Sequence, residues 1–129
     1  IYSKEFNSVS NVVFIIEDTQ TNNPVGMVGL YDLHFNARKA EYRILIGDSE
    51  SRGKGIGTEV TKMVVKYGFE RLNLHRIFLG VTDENKGAAK AYKKSGFEEE
   101  GLLKDDIYRN GKYYNTVRMA IISEKTNEI

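Results

Sequence analysis

The chain has no cysteine and only two histidines, His34 and His75. Without cysteine there is no disulfide, no thiolate metal site and no thiol nucleophile. The two histidines show no ligand spacing, so both are expected at the surface and no metal is expected. Charge of one sign is also scarce. Nineteen Lys and Arg oppose 18 Asp and Glu, a net charge of +1 over 129 residues. That balance argues against a nucleic-acid binder, whose footprint is strongly basic. No apolar run approaches the ~18 residues of a membrane span. No basic stretch followed by an apolar one reads as a leader. The expectation is a cytoplasmic protein with neither membrane nor nucleic acid as partner. The chain opens at Ile1 without an initiator Met, so a lost natural start is also expected.

Hydrophobic residues make up 40% and charged residues 29%. A single domain over residues 1–129 with a buried core is therefore expected. The short β-branched run Val12 to Ile16 predicts a buried strand. Thr21-Asn22-Asn23-Pro24 is turn chemistry. Val25 to Leu33 predicts a second strand, with Gly26 and Gly29 marking close backbone approach. Ala40 to Ile46 alternates: Ala40, Tyr42, Ile44 and Ile46 share one face, Glu41, Arg43 and Leu45 the other. The period then changes. Ile56, Val60, Met63, Val64 and Tyr67 share a helical face, predicting a helix from about Gly55 to Leu72. Arg76 to Val81 predicts a strand, and Asn85 to Ser95 a second helix stopped by Gly96. Phe97 to Tyr108 and Lys112 to Ile122 predict a hairpin around Asn110-Gly111. Tyr113 and Tyr114 alternate faces, so one of them is expected in the core. The order β-β-β-α-β-α-β-β describes a mixed sheet with two helical crossovers.

Gly47-Asp48-Ser49-Glu50-Ser51-Arg52-Gly53-Lys54-Gly55-Ile56-Gly57 joins a strand to the long helix. Glycines let backbone N–H groups approach a ligand, and a helix N-terminus favours an anion. A pyrophosphate suits both, with Arg52 and Lys54 as cationic donors. A tight turn made of small residues is the competing reading. A Walker A loop is excluded, because five residues separate Gly47 from Gly53 and Gly55 follows Lys54. A dinucleotide fingerprint also fails: three residues after Gly55 stands Thr58, and no early βαβ unit precedes it.

Arg52-x-x-Gly55-x-Gly57 resembles the acetyl-coenzyme A signature of the GNAT N-acetyltransferases. Asn85, Ala88, Tyr92 and Gly96-Phe97 are similar to a helical motif of that family. Glu100-Gly101, followed by Asn110-Gly111-Lys112-Tyr113, resembles the ending of its branch of ribosomal-protein and spermidine/spermine acetyltransferases. The likeness spans Phe14 to Ile122. It implies an α/β fold with a mixed, mostly antiparallel central sheet flanked by helices, lacking part of the N-terminal region. Relatives carry a further strand and two helices there, and residues 1–10 are expected as a remnant of the second helix. An edge so uncovered tends to recruit another chain, so a missing natural N-terminus or a homodimer is expected. Asn115 stands where many relatives carry Asp.

The resemblance implies transfer of an acetyl group from acetyl-coenzyme A to a primary amine. The acceptor is expected to be a small polyamine-like molecule or a protein N-terminus. The alternative is a coenzyme A-binding module without transferase activity. Without cysteine, direct transfer is favoured over an acyl-enzyme. An ammonium group must lose a proton before it attacks, and the leaving thiolate needs one. Tyr92 is the implied acid, although helix spacing alone would also make it an apolar anchor. Glu41 is the candidate base, with a solvated or ion-paired carboxylate beside Arg43 as the competing reading. Backbone groups of Ile44, Leu45 and Ile46 are implied partners of pantetheine. Arg52, Gly53, Lys54, Gly55, Ile56 and Gly57 are the implied pyrophosphate site. Asn85 caps its helix and, by resemblance, touches the coenzyme. Glu98, Glu99, Glu100, Asp105 and Asp106 could attract a cationic acceptor or form a solvated strand edge.

Overall fold

Period-two alternation over most of the chain dictates a sheet, and two amphipathic segments clothe one side of it. The computed structural model describes residues 6–7, 10–47 and 55–124. Its elements are β1 (Phe6–Asn7), β2 (Val12–Glu17), β3 (Pro24–His34), β4 (Lys39–Ile46), α1 (Ile56–Glu70), β5 (Arg76–Thr82), α2 (Lys86–Lys94), β6 (Glu98–Arg109) and β7 (Lys112–Ile122). The sheet runs β1-β2-β3-β4-β5-β7-β6. Every neighbouring pair is antiparallel except β4–β5, which is parallel across the α1 crossover. Among the described residues no helix is long and apolar enough to cross a membrane.

The core lies between the sheet and the two helices. Ile16, Val28, Leu30, Ala40, Tyr42, Ile77, Leu79 and Met119 rise from the strands to meet Val60, Val64 and Val65 of α1. Each such side chain contributes about 1.5–3 kcal/mol when fully buried. Gly68 lets α1 lie close, because a Cβ there would come within 2.9 Å of Ile77 and Leu30. Gly26 and Gly29 likewise sit where neighbouring backbone leaves no room for a Cβ. The β6–β7 turn uses Asn110 (φ 53°) and Gly111 (φ 75°), the double positive φ that a tight hairpin requires.

Several expectations need correction. Residues 6–7 form a strand on the β2 edge, not part of a helix, because Phe6 and Asn7 pair with Val13 and Val12. The buried face of α1 is centred on Val60, Val64 and Gly68. Met63 shares a groove with Val60, Val64 and Tyr67, as its spacing implies, but stays 49% exposed there. The helix ends at Glu70 rather than Leu72. Neither Tyr113 nor Tyr114 is buried: Tyr113 is 58% exposed and stacks on Tyr108, while Arg109 and Lys112 lie over the ring of Tyr114.

Candidate active site

The β4–β5 ladder is short. It pairs Lys39 with Arg76, Ala40 with Ile77 and Glu41 with Phe78, and there it stops. From Tyr42 onward β4 has no partner on that side among the described residues, whereas β5 continues along β7 to Thr82. The two central strands therefore part like a fork. On the helix side the fork opens into a cleft of about 720 Å³. Ile44 and Ile46 line it from β4, Gly55, Gly57, Thr58 and Thr61 from α1, and Asn85, Ala88, Ala91 and Tyr92 from α2 and its cap.

The floor of the cleft follows from alternation. Ile44 and Ile46 face the helices, whereas Leu45 points to the opposite face and is 68% exposed. Unpaired N–H and C=O groups on the free side of β4 remain available to an extended amide chain. At the other end, Gly55 caps α1 in a left-handed conformation (φ 78°), and no side chain caps the helix among the described residues. The first amides of α1 thus face the cleft with the positive end of the helix dipole behind them. A Cβ at Gly55 or Gly87 would meet nothing within 4 Å, and one at Gly57 only Ile46 at 3.9 Å. That free space and the exposed amides fit the pyrophosphate and pantetheine arm of a coenzyme A. Arg52, Gly53 and Lys54 lie outside the described residues.

Tyr92 is held in an aromatic group. Its ring centroid lies 6.2 Å from Tyr42 at 83° and 6.0 Å from Phe97 at 65°. Burial pushes the Tyr92 phenol up, so it keeps its proton at neutral pH. No hydrogen bond engages its hydroxyl among the described residues, and the side chain lines the cleft. Asn85 does cap α2, accepting from Ala88 N–H at 3.1 Å, and it also lines the cleft. Sequence reading missed Thr61, whose hydroxyl joins Tyr42 to Gly57, and the cationic Lys90 and Lys94 at the cleft wall. Gly87, Lys90, Ala91 and Lys94 recur at i, i+3, i+4 and i+7, a signal of one helical face.

Glu41 occupies the last rung before the fork opens, on the face opposite Tyr92. Arg43 Nε and Nη2 donate to its Oε1 at 2.9 and 2.7 Å. The ion-paired reading of Glu41 therefore describes its resting contact. The acidic set does not converge on the cleft. Glu98, Glu99 and Glu100 border a different groove with Phe69, Glu70 and Ile121. Arg76 grips both oxygens of Glu100 at 2.6 and 2.8 Å, and Lys93 reaches Glu99 at 3.0 Å. Asp106 accepts from Thr116, and the Asp105 amide donates to Asn115. The carboxylates of Glu99, Glu100 and Asp106 are thus engaged in structural contacts, and none of the five acidic residues lines the cleft.

Residues 2–98 match the family model described as "Acetyltransferase (GNAT) domain". Over 125 residues the chain is 36% identical to the spermidine N(1)-acetyltransferase of Vibrio cholerae, covering 97% of this chain and 71% of that one. It is 35% identical to the enzyme of the same name from Escherichia coli K12, covering 97% of this chain and 66% of that one. The chain thus spans about two thirds of the length of these curated relatives. The crystal structure of the Vibrio cholerae spermidine N-acetyltransferase in complex with CoA and spermine superposes with a TM-score of 0.83. That match has 37% identity over 88% of this chain and 66% of that one.

Proposed function

The chain belongs to the GNAT acetyltransferase family, and from that premise we propose that it carries the acetyl group of acetyl-coenzyme A directly to a primary amine of a polyamine. The observation that carries this reading is the fork itself. The β4–β5 ladder ends at Glu41 and Phe78, with Tyr92 on one side of the gap and Glu41 on the other. Acetyl-coenzyme A supplies the activated acyl carbon as a thioester. Tyr92 holds a proton at its phenol oxygen for the departing sulfur, and burial keeps that proton in place at neutral pH. Glu41, once released by Arg43, takes a proton from the acceptor nitrogen. The free amides of β4 offer a donor to the carbonyl oxygen. The first turn of α1 with Arg52, Gly53, Lys54, Gly55, Ile56 and Gly57 holds the pyrophosphate. Ile44 and Ile46 provide the wall against which the pantetheine arm lies.

A polyamine is preferred because two relatives at 36% and 35% identity are named spermidine N(1)-acetyltransferases. The test is thiol release from acetyl-coenzyme A with spermidine, an alanine-terminal peptide and an amino sugar nucleotide in competition. Acetylated spermidine is the expected product. Acetylation of either rival without spermidine would overturn the choice of acceptor.

A further inference from the structure

Arg38, in the turn between β3 and β4, has a left-handed backbone (φ 56°), and so has Asn73 between α1 and β5 (φ 56°). Asparagine settles there readily, whereas a long side chain such as arginine seldom does. Such a backbone persists only where its surroundings over-determine it, and those places cluster at functional sites. Arg38 is held at both ends. Its Nε donates to the Asn73 carbonyl at 2.8 Å, and its Nη2 to Asn73 Oδ1 at 3.2 Å. Its own carbonyl accepts from the His75 and Arg76 amides at 2.7 and 3.1 Å. Side chain and backbone thus form one clasp between two turns.

The clasp sits at the closed end of the fork. The next residue along each strand begins the β4–β5 ladder, Lys39 with Arg76, and Ala40–Ile77 and Glu41–Phe78 complete it. The two halves of the sheet share no other strand pairing among the described residues. Three slanted parallel rungs are little to fix the angle at which two strands part. On the far side β5 is already fixed. It pairs with β7 from Arg76 to Thr82, Ser123 N–H donates to His75 O at 2.8 Å, and Arg76 holds Glu100. The angle of β4 against β5 therefore depends on Arg38. Neither Arg38 nor Asn73 lines the cleft, so neither touches a coenzyme held there.

We infer that Arg38 is a positioning residue for acetyl transfer: its clasp on Asn73 sets the angle of the fork, and with it the gap between Tyr92 and Glu41. The inference rests on the transfer reading, in which acid and base work from the two sides of that gap. A misplacement of about 1 Å between reacting groups can cost on the order of 10²-fold in rate. Loosening the clasp is therefore read in turnover. The pyrophosphate end of the coenzyme site belongs to α1 and does not depend on the angle of β4.

The test is turnover of the full chain with acetyl-coenzyme A and spermidine, with coenzyme A calorimetry, thermal melts and hydrogen exchange on the same variants. Arg38→Gly removes the side chain and suits the left-handed backbone. Arg38→Lys keeps the charge and loses the planar fork of donors. Both should lower kcat about tenfold and leave coenzyme A affinity and the melting temperature near wild type. Both should also speed exchange in residues 39–41 and 76–78 about tenfold, by freeing the rungs locally. Arg71→Gln, an equal loss of charge at the C-terminus of α1, should change nothing. Full turnover in either Arg38 variant overturns the inference, and so does unchanged exchange across the rungs. An equal fall in Arg71→Gln overturns it too, as does a fall in kcat accompanied by lost coenzyme A affinity or a lowered melt. Should Arg38→Gly not fold, Arg38→Lys decides the matter. A wild type that binds coenzyme A but releases no thiol with spermidine removes the transfer reading alone, and the exchange arm then decides the clasp.

Discussion

The hydroxyl of Tyr42 lies 2.7 Å from Thr61 Oγ1, and this contact ties the centre of the sheet to the second turn of α1. Thr61 Oγ1 donates to Gly57 O at 2.5 Å, which commits its single proton. Tyr42 is therefore the donor of the pair. Burial raises the Tyr42 phenol well above its ordinary value, so it stays protonated. Tyr42→Phe should cost about 1 kcal/mol at neutral pH, the usual net worth of one hydrogen bond. The folded-state pKa is raised above the unfolded value of ~10. The stability tied to that proton is thus complete below pH ~10 and is lost as pH rises further. Urea titrations at pH 7 and pH 10.5 should show the gap between wild type and Tyr42→Phe narrowing at the higher pH. A gap that widens there would refute the assignment of Tyr42 as a buried, neutral donor.

Tyr92 separates packing from chemistry. Its ring packs on Tyr42 and Phe97, while its hydroxyl has no hydrogen-bond partner among the described residues. Tyr92→Phe keeps the ring and removes the proton, so the melting temperature should stay within a degree or two of wild type. Turnover should fall on the order of 10²-fold, with coenzyme A affinity unchanged. A variant that turns over at the full rate would leave Tyr92 as an anchor only.

Asn115 holds three segments together through its amide. Its Oδ1 accepts from the Asp105 N–H at 2.9 Å, where β6 bulges and Asp105 adopts φ 50°. Its Nδ2 donates to Asp83 Oδ2 at 3.1 Å, beside the start of α2. Aspartate at 115 would lose the donor and face Asp83 as a like charge. Asn115→Asp should therefore destabilise the fold by about 1 kcal/mol at pH 7. The deficit should shrink in an Asp83→Asn background, where the like charge is gone and the introduced amide can donate in its place. Thermal melts of the single and double variants at pH 7 check this; equal deficits would mean that the Asp83 contact contributes nothing.

Much of the fold was legible because local chemistry and global topology agree. The Asn110-Gly111 hairpin, the alternation of β4 and the Asn85 cap all appear where their residues predict them. The family pattern proposes Tyr92 as a site residue, whereas its spacing alone would have made it an anchor. It proves to be both an anchor and a cleft residue. What escaped the sequence is long-range register. Nothing local announces that Tyr31 and Phe78 flank Glu41, because that row exists only once three strands from distant segments pair. The depth of the α1 face escaped for a related reason: Met63 does share a groove with Val60, Val64 and Tyr67, but the sheet beneath α1 buries Thr61, Val65 and Gly68 and leaves Met63 at the rim. The acidic run 98–100 read either as a receptor for cations or as a solvated strand edge, and its edge strand turns Glu99 to Lys93 and Glu100 to Arg76.

Gly57 offers the cleanest test of the coenzyme site. It lies in the first turn of α1 with ordinary helical backbone, unlike Gly55, where any side chain would be strained by φ 78°. A Cβ at Gly57 meets only Ile46 at 3.9 Å, so a larger side chain has room to enter the cleft without displacing the core. The helix propensity of leucine exceeds that of glycine by several tenths of a kcal/mol, so the fold should not suffer. Gly57→Leu should fill the space between Ile46 and the first amides of α1, which is where a pyrophosphate must approach. Coenzyme A affinity should fall at least about tenfold, equivalent to about 1.4 kcal/mol, while the melting temperature of the free protein holds or rises. Calorimetry and a thermal melt on the same sample separate the two effects. Weaker binding with a lowered melt would point to a disturbed helix, and unchanged binding would move the pyrophosphate away from α1 altogether.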